Sequence, residues 1–321
     1  MSDRINTGTI KSKARGKPDF PGMVKKNLSK DRWLYFMLIP GIIFFIVYKY
    51  GPMWGITLAF KNYRPFLGFS GSAWVGLEHF KRFFNDRAFM QLFVNTLSLS
   101  LLNLIFNFPM PIIFALLLNE VKNRYYRKIV QTVTYLPHFM SWVVVAGLSY
   151  VMFTTEGGII NEAIKALGFP PVNFLSSETM FRPMIVGQSM WKETGWGTII
   201  YLAALSGVDV EQYEAARIDG ANRLQQLWHI TLPSIKGVII TMFILRLGNI
   251  MDSSFDQVYN MLNEMNRNVG EVFDTYVYKV GITLGQLSYS TAVGLFKSVI
   301  GLILVVGADF LSKKAGEEGI F

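Results

Sequence analysis

Four charged side chains stand inside long apolar stretches: Lys192, Glu193, Arg246 and Lys297, with Asp252 and Asp256 a little beyond Arg246. An ion inside an apolar span is costly and usually faces a water-filled cavity or an oppositely charged partner. Trp191 and Trp196 flank the first pair. An aromatic ring beside polar donors suits a sugar, because the ring covers C–H faces while the polar groups bond hydroxyls. Asn249 and Ser253 follow Arg246 by three and seven residues, so one helical face would carry all three. Two readings of Trp191, Lys192, Glu193, Trp196, Arg246, Asn249 and Ser253 stay open at this point. They line or border a substrate pathway near the bilayer middle, or an interhelical ion pair such as Glu193–Arg246 holds a bundle together. Phe and Met elsewhere read as packing or lipid-facing residues, and Pro109 and Pro111 as helix kinks.

Other chemistries find no residues. There is no cysteine, which removes disulfides, thiol catalysis and Cys-ligated metals. The three histidines, His79, His138 and His229, are far apart in sequence, which disfavours a His-rich metal site. No Gly-x-x-x-x-Gly-Lys-Ser/Thr phosphate loop occurs, and no His/Asp/Glu or Ser-based constellation of a membrane enzyme shares one face.

The elements that must position these residues are membrane spans. The chain is 51% hydrophobic and 17% charged, with a mean hydropathy of +0.32, whereas soluble domains carry about 25% charged residues. About 20 apolar residues cross a bilayer as helix. Six runs qualify: Trp33 to about Met53, Ala88–Asn119, Ile129–Thr155, Pro183–Val208, Lys236–Asp252 and Tyr289–Leu311. The expectation is an all-α membrane protein of six transmembrane helices. Its parts would be a basic tail (1–32), a first span with an extracytoplasmic segment (33–87), a core (88–311) and a C-terminal tail (312–321). The net charge of +9 concentrates in the tail, where nine Lys/Arg precede the first span. That pattern reads as a solvated tail rather than a nucleic-acid arm, and the first apolar run starts too late for a cleaved signal peptide. With the N-terminus inside, 18 Lys/Arg fall on the cytoplasmic side and 9 on the other, so both termini are expected in the cytoplasm.

One loop is unlike the others. Asp209 can cap a helix that carries Glu211 in its first turn, Gly220 permits a sharp turn, and a second helix from about Arg223 is expected to end at Pro233. Small residues in such a helix–turn–helix suit docking into a groove on a partner. Glu214-Ala215-Ala216 is followed after three residues by Gly220, and nine residues later by Ile230-Thr231-Leu232-Pro233. This resembles the EAA signature of ABC importer permeases at every defined position and in both spacings. From Asn95-Thr96 to about Leu311 the chain is similar to the maltose-type transmembrane domain of type I importers. The Tyr126 to Leu136-Pro137 segment and the Trp191-Lys192-x-x-Gly195-Trp196 run look most like the branch handling oligosaccharides and polysaccharide fragments. A secondary transporter would need no such loop and often shows two related halves; no internal repeat is evident.

The resemblance implies a non-catalytic permease in a bacterial cytoplasmic (inner) membrane, in contact with lipid. A second permease subunit, expected to be a different chain with a homodimer as the alternative, would complete the pathway. Two cytoplasmic ATPase subunits would bind ATP and Mg, this chain holding no cofactor. An extracytoplasmic solute-binding protein would deliver an oligosaccharide. Glu214, Ala215, Ala216, Asp219 and Gly220 would form the coupling element within loop 209–235.

Overall fold

The computed structural model describes residues 32–252 and 254–314. The basic tail but for Arg32, Ser253 and residues 315–321 lie outside the described residues. The chain divides into two units, one ending at Gly55 and one starting at Ile56, so residues 56–87 belong with the core rather than with the first span. In the first unit, helix α1 (Arg32–Phe44) runs on as a π-helical stretch to Tyr50. Pro40 sits inside it.

Among the described residues the regular elements of the second unit are helices apart from one two-residue pair, β1 (Lys61–Asn62) and β2 (Ala73–Trp74), antiparallel with Lys61 opposite Trp74. That hairpin departs from the all-α expectation. Phe60 stacks on Trp74, a cross-strand aromatic contact of the kind that steadies a short ladder. Asp86 then caps α2 (Arg87–Leu102) by accepting from the Ala88 amide at 2.9 Å, and accepts from the Tyr289 and Tyr276 hydroxyls at 2.9 and 3.2 Å. Burial pushes its carboxyl up, but these three donors and the nearby Arg82 hold it below its ordinary value.

A π-helical turn joins α2 to α3 (Pro109–Glu120), making one helical run of 34 residues. Next comes an elbow. Helix α4 (Arg124–Tyr135) and a 3-10 turn (Leu136–Phe139) meet α5 (Trp142–Phe153) at 103°. The straight third span expected over Ile129–Thr155 is thus bent. Pro137 lacks an amide donor, and Ser141 turns extended and caps a fresh helix through the Val144 amide.

Helix α6 (Glu178–Ser206) is 29 residues long and packs chiefly against α3 and α4. At its crossing with α4 a Cβ on Gly195 would lie 2.1 Å from the Thr134 carbonyl oxygen, so only glycine lets the two backbones approach. Helix α7 (Val210–Ile218) leads to a run from Arg223 to Gly248 that ends as α8 (Leu232–Gly248). Pro233 therefore does not end a helix. It stands in the first turn of α8, where an absent amide costs little, behind a π turn at Leu227–Thr231. After α8 come the short helices α9 (Phe255–Met261) and α10 (Phe273–Tyr278), then α11 (Leu287–Lys314).

Among the described residues four helical runs are long and apolar enough to cross a membrane: Trp33–Phe60, Arg87–Glu120, Arg223–Gly248 and Leu287–Lys314. The elbow makes five if its two limbs count as one. Helix α6 has the length but carries charge at its middle. The core is apolar where these elements meet, as at Leu99, Phe181, Ile185 and Val258.

Candidate functional site

A cavity of about 450 Å³ lies between α2–α3, α6 and the end of α8. Ser189, Glu193, Trp196 and Tyr201 enter it from α6, Arg246, Asn249 and Asp252 from α8 and its end, and Asn103 and Asn107 from the π turn before α3. The wall is tied by buried side-chain bonds. Ser189 donates to Gln257 (2.9 Å), Gln257 to Gln188 (3.0 Å), and Gln188 to Ser149 (2.7 Å). The chain of bonds joins α6, α9 and α5, and a fully satisfied network of this kind rigidifies a wall.

The residues singled out in the sequence separate here. Glu193, Trp196, Arg246 and Asn249 line the cavity; Trp191 and Lys192 are not among its walls, and Ser253 lies outside the described residues. Trp191 and Trp196 are five residues apart, roughly 140° around a helix, so Trp191 stands half-exposed on another side of α6. Lys192 is 6% exposed; its Nζ reaches the His138 carbonyl oxygen at 2.6 Å and Glu193 Oε1 at 3.3 Å, and lies 5.1 Å from the Trp142 ring centroid. The shared face expected for Arg246, Asn249 and Ser253 stops short, because α8 ends at Gly248 and Asn249 is its C-cap. Asn249 nevertheless stays beside Arg246 at the cavity.

Glu193 does not take Arg246 as its ion partner. Its Oε2 accepts from His138 Nδ1 at 2.8 Å. The Arg246 side chain has no hydrogen bond or salt bridge among the described residues. Lys297, on α11, reaches across to Asp252 and to Asp274 on α10, so its charge is matched twice. His138 and the paired roles of Asp252 and Asp274 were missed in the sequence. An isolated histidine 55 residues from its carboxylate has no local signature.

The second constellation is the loop after α6. Asp209 accepts from the Glu211 amide at 2.9 Å and caps α7. Gly220 adopts φ +80°, the left-handed region that glycine enters freely. The Ala221 amide donates to the Ala216 carbonyl at 2.8 Å and the Gly220 amide to the Arg217 carbonyl at 3.1 Å, which closes the helix in a Schellman pattern. Asn222 and Gln225 form a capping box that starts the next helix. Tyr213 pins α7 to that helix through Thr231, 2.9 Å away. Glu214, Ala215, Asp219 and Gly220 are exposed, Ala216 partly so, and Ile218 is 87% exposed. Glu214 has no partner of its own among the described residues.

Comparison with known proteins places this arrangement. The family model for the binding-protein-dependent transport system inner membrane component matches residues 107–316. Protein LplB of Bacillus subtilis (strain 168) is 54% identical over 294 residues, covering 92% of each chain. The polygalacturonan/rhamnogalacturonan transport system permease protein YteP of the same organism is 55% identical over 294 residues, again 92% of each. Among solved structures, a chain of a bacterial alginate ABC transporter, in complex with an alginate pentasaccharide-bound periplasmic protein, superposes with a TM-score of 0.85. It is 37% identical and covers 92% of this chain and 99% of that one. With the family model over most of the chain and two relatives matched over nearly their whole length, the protein belongs to the binding-protein-dependent transport system inner membrane components, as a permease of an ABC importer.

Proposed function

We propose that this permease carries acidic oligosaccharides, fragments of polysaccharide, along a path lined by Trp196, Arg246 and Asn249. The observation that carries this is the charge of the cavity. Glu193 is held by His138 and Lys192, and Asp252 by Lys297. The guanidinium of Arg246 makes no hydrogen bond or salt bridge among the described residues and feels only the attraction of the Glu193 carboxylate across the cavity, and its planar fork matches a carboxylate. A hexuronate supplies that carboxylate once per residue. The relative named for polygalacturonan and rhamnogalacturonan, and the alginate transporter, support the reading, since both names denote uronate polymers.

Drive comes through α7. Glu214 to Gly220 dock on a cytoplasmic ATPase, two such subunits hydrolyse ATP, and a solute-binding protein delivers the sugar from outside. A second permease, a different chain, closes the open side of the cavity. The elbow and α6 join the four apolar runs to make six spans, both termini being cytoplasmic on the Lys/Arg asymmetry. A reporter fused after Phe321 is expected to be active in the cytoplasm; activity on the outer side contradicts the topology.

The substrate reading is tested by uptake of trigalacturonate into proteoliposomes holding the whole transporter. Losing a charged hydrogen bond costs about 1.5–3 kcal/mol, so Arg246→Ala is expected to slow uptake about 10- to 100-fold. Arg246→Lys recovers part of the loss. Trp196→Ala and Asn249→Ala slow uptake with the complex still assembled. Parent-like uptake in all three alanine variants refutes the path.

A further inference from the structure

We propose that His138 is a positioning residue for the sugar path: from the elbow between α4 and α5 it locks the Trp196 indole as a flat platform at the cavity wall. The proposal rests on the reading of the cavity as that path.

The geometry is specific. The imidazole of His138 and the indole of Trp196 are parallel within 1°, with ring centroids 4.4 Å apart. Trp196 is a cavity wall and His138 is not, so the imidazole backs the indole from behind. Phe139 meets the indole edge-on, with centroids 5.6 Å apart at 81°. His138 is itself fixed twice. A carboxylate only accepts, so the 2.8 Å contact with Glu193 puts a proton on Nδ1 and orients the ring. The His138 carbonyl takes the Lys192 ammonium at 2.6 Å. Glu193 and Trp196 are three residues apart and therefore neighbours on one face of α6. The elbow thus clasps that face, and it can do so because Gly195 lets the Thr134 carbonyl come in.

Such a clasp has a chemical use. A pyranose stacks on an indole through its C–H face, which requires the ring to present one face in one orientation. An unsupported tryptophan loses rotamer freedom when sugar arrives, and an ordering cost paid in advance improves binding. Stacking by His138 on one face and the edge contact from Phe139 restrict that freedom before substrate enters and leave the other face open. It also accounts for Glu193. The carboxylate repels a uronate if left free, whereas bonded to His138 and Lys192 it becomes part of the frame.

The test uses the complete transporter in proteoliposomes with saturating binding protein and trigalacturonate as probe, uptake being scaled to assembled complex. An aromatic pair of this kind supports about a 3- to 10-fold effect. His138→Ala and His138→Asn are expected to slow uptake by about that factor, and His138→Phe, which keeps a stacking ring, to stay within about twofold of the parent. In a Trp196→Ala background, His138→Ala is expected to add less than about twofold, as groups acting as one unit do. A full additional loss in that background overturns the proposal, because His138 then acts independently of the indole. So does a His138→Phe variant as slow as His138→Asn. Where His138→Ala yields no assembled complex, the Phe and Asn pair decides by the same criterion. If Trp196→Ala alone leaves uptake unchanged, this proposal fails, and the path reading fails with it only where Arg246→Ala and Asn249→Ala are parent-like as well. If Trp196→Ala is slow and His138→Ala is not, only this proposal fails.

Discussion

Gly220→Val is expected to leave the permease in the membrane and abolish uptake. At φ +80° a β-branched residue is strained, by about 1–2 kcal/mol. A Cβ there meets nothing within 4 Å, so the cost is conformational rather than steric. The chain relieves it by rotating the turn, which breaks the Ala221–Ala216 closure and swings α7 away from the helix that starts at Arg223. On the proposed reading α7 is a docking helix that has to hold its angle, so a small rotation uncouples it while the spans stay folded. Glu214→Lys attacks the same contact differently. Glu214 bonds nothing among the described residues, so its reversal is expected to leave the fold alone and, on the proposed reading, to remove a charged bond to the ATPase, a kind of bond worth about 1.5–3 kcal/mol. Co-purification of the ATPase with each variant, measured beside uptake, checks both. Retention of ATPase and transport in the two variants removes α7 from the coupling role.

The second large effect is expected at Lys297. Its ammonium sits between Asp252 and Asp274 and is largely buried. Removing one partner of a buried ion pair costs about 3–5 kcal/mol, because the remaining charge stays uncompensated. Asp252 is more than half exposed, which favours the lower end. Lys297→Met is therefore expected to lower the yield and thermal midpoint of the purified permease. Adding Asp274→Asn to it should return much of the loss, since one of the two stranded carboxylates is gone. A parent-like melting curve for Lys297→Met, or a further drop in the double variant, contradicts this account. The triad joins the turn after α8 to α10 and α11, so its loss should also loosen the cavity edge at Asp252.

What the sequence made legible is what depends on neighbours in the chain. The run expected at Ala88–Asn119 is helical from Arg87 to Glu120, and that expected at Tyr289–Leu311 runs from Leu287 to Lys314, because apolar length alone defines such a helix. The Asp209 cap and the Gly220 turn are likewise local, a side chain bonding its own backbone and a residue without Cβ. Apolarity carries no direction, so the 103° elbow within Ile129–Thr155 was hidden. A helix stop at Gly248 was hidden for a similar reason, as Asn249 and Ile250 extend the pattern without extending the helix. Pairings across the fold were the least visible. Glu193 had two cations in view, Lys192 and Arg246, and took one of them together with a histidine from the elbow. Which of Trp191 and Trp196 faces the cavity depends on where α3 and α4 lie against α6, and that is a tertiary fact.

The unbroken run from Arg223 to Gly248 has a mechanical meaning on the proposed reading. Its 26 residues make a rod of roughly 39 Å at the usual rise per residue. Toward the lower end, about 12 Å along from Arg223 at that rise, Thr231 meets the Tyr213 hydroxyl of α7; the other end carries Arg246 and leads into Asn249. A tilt of about 10° about the lower end displaces the upper by roughly 7 Å, given that rod length. That is more than the width of a sugar contact. The same cation that holds a carboxylate would be carried out of reach of it by the stroke that opens the path, so release needs no separate trigger: the grip is let go by leverage.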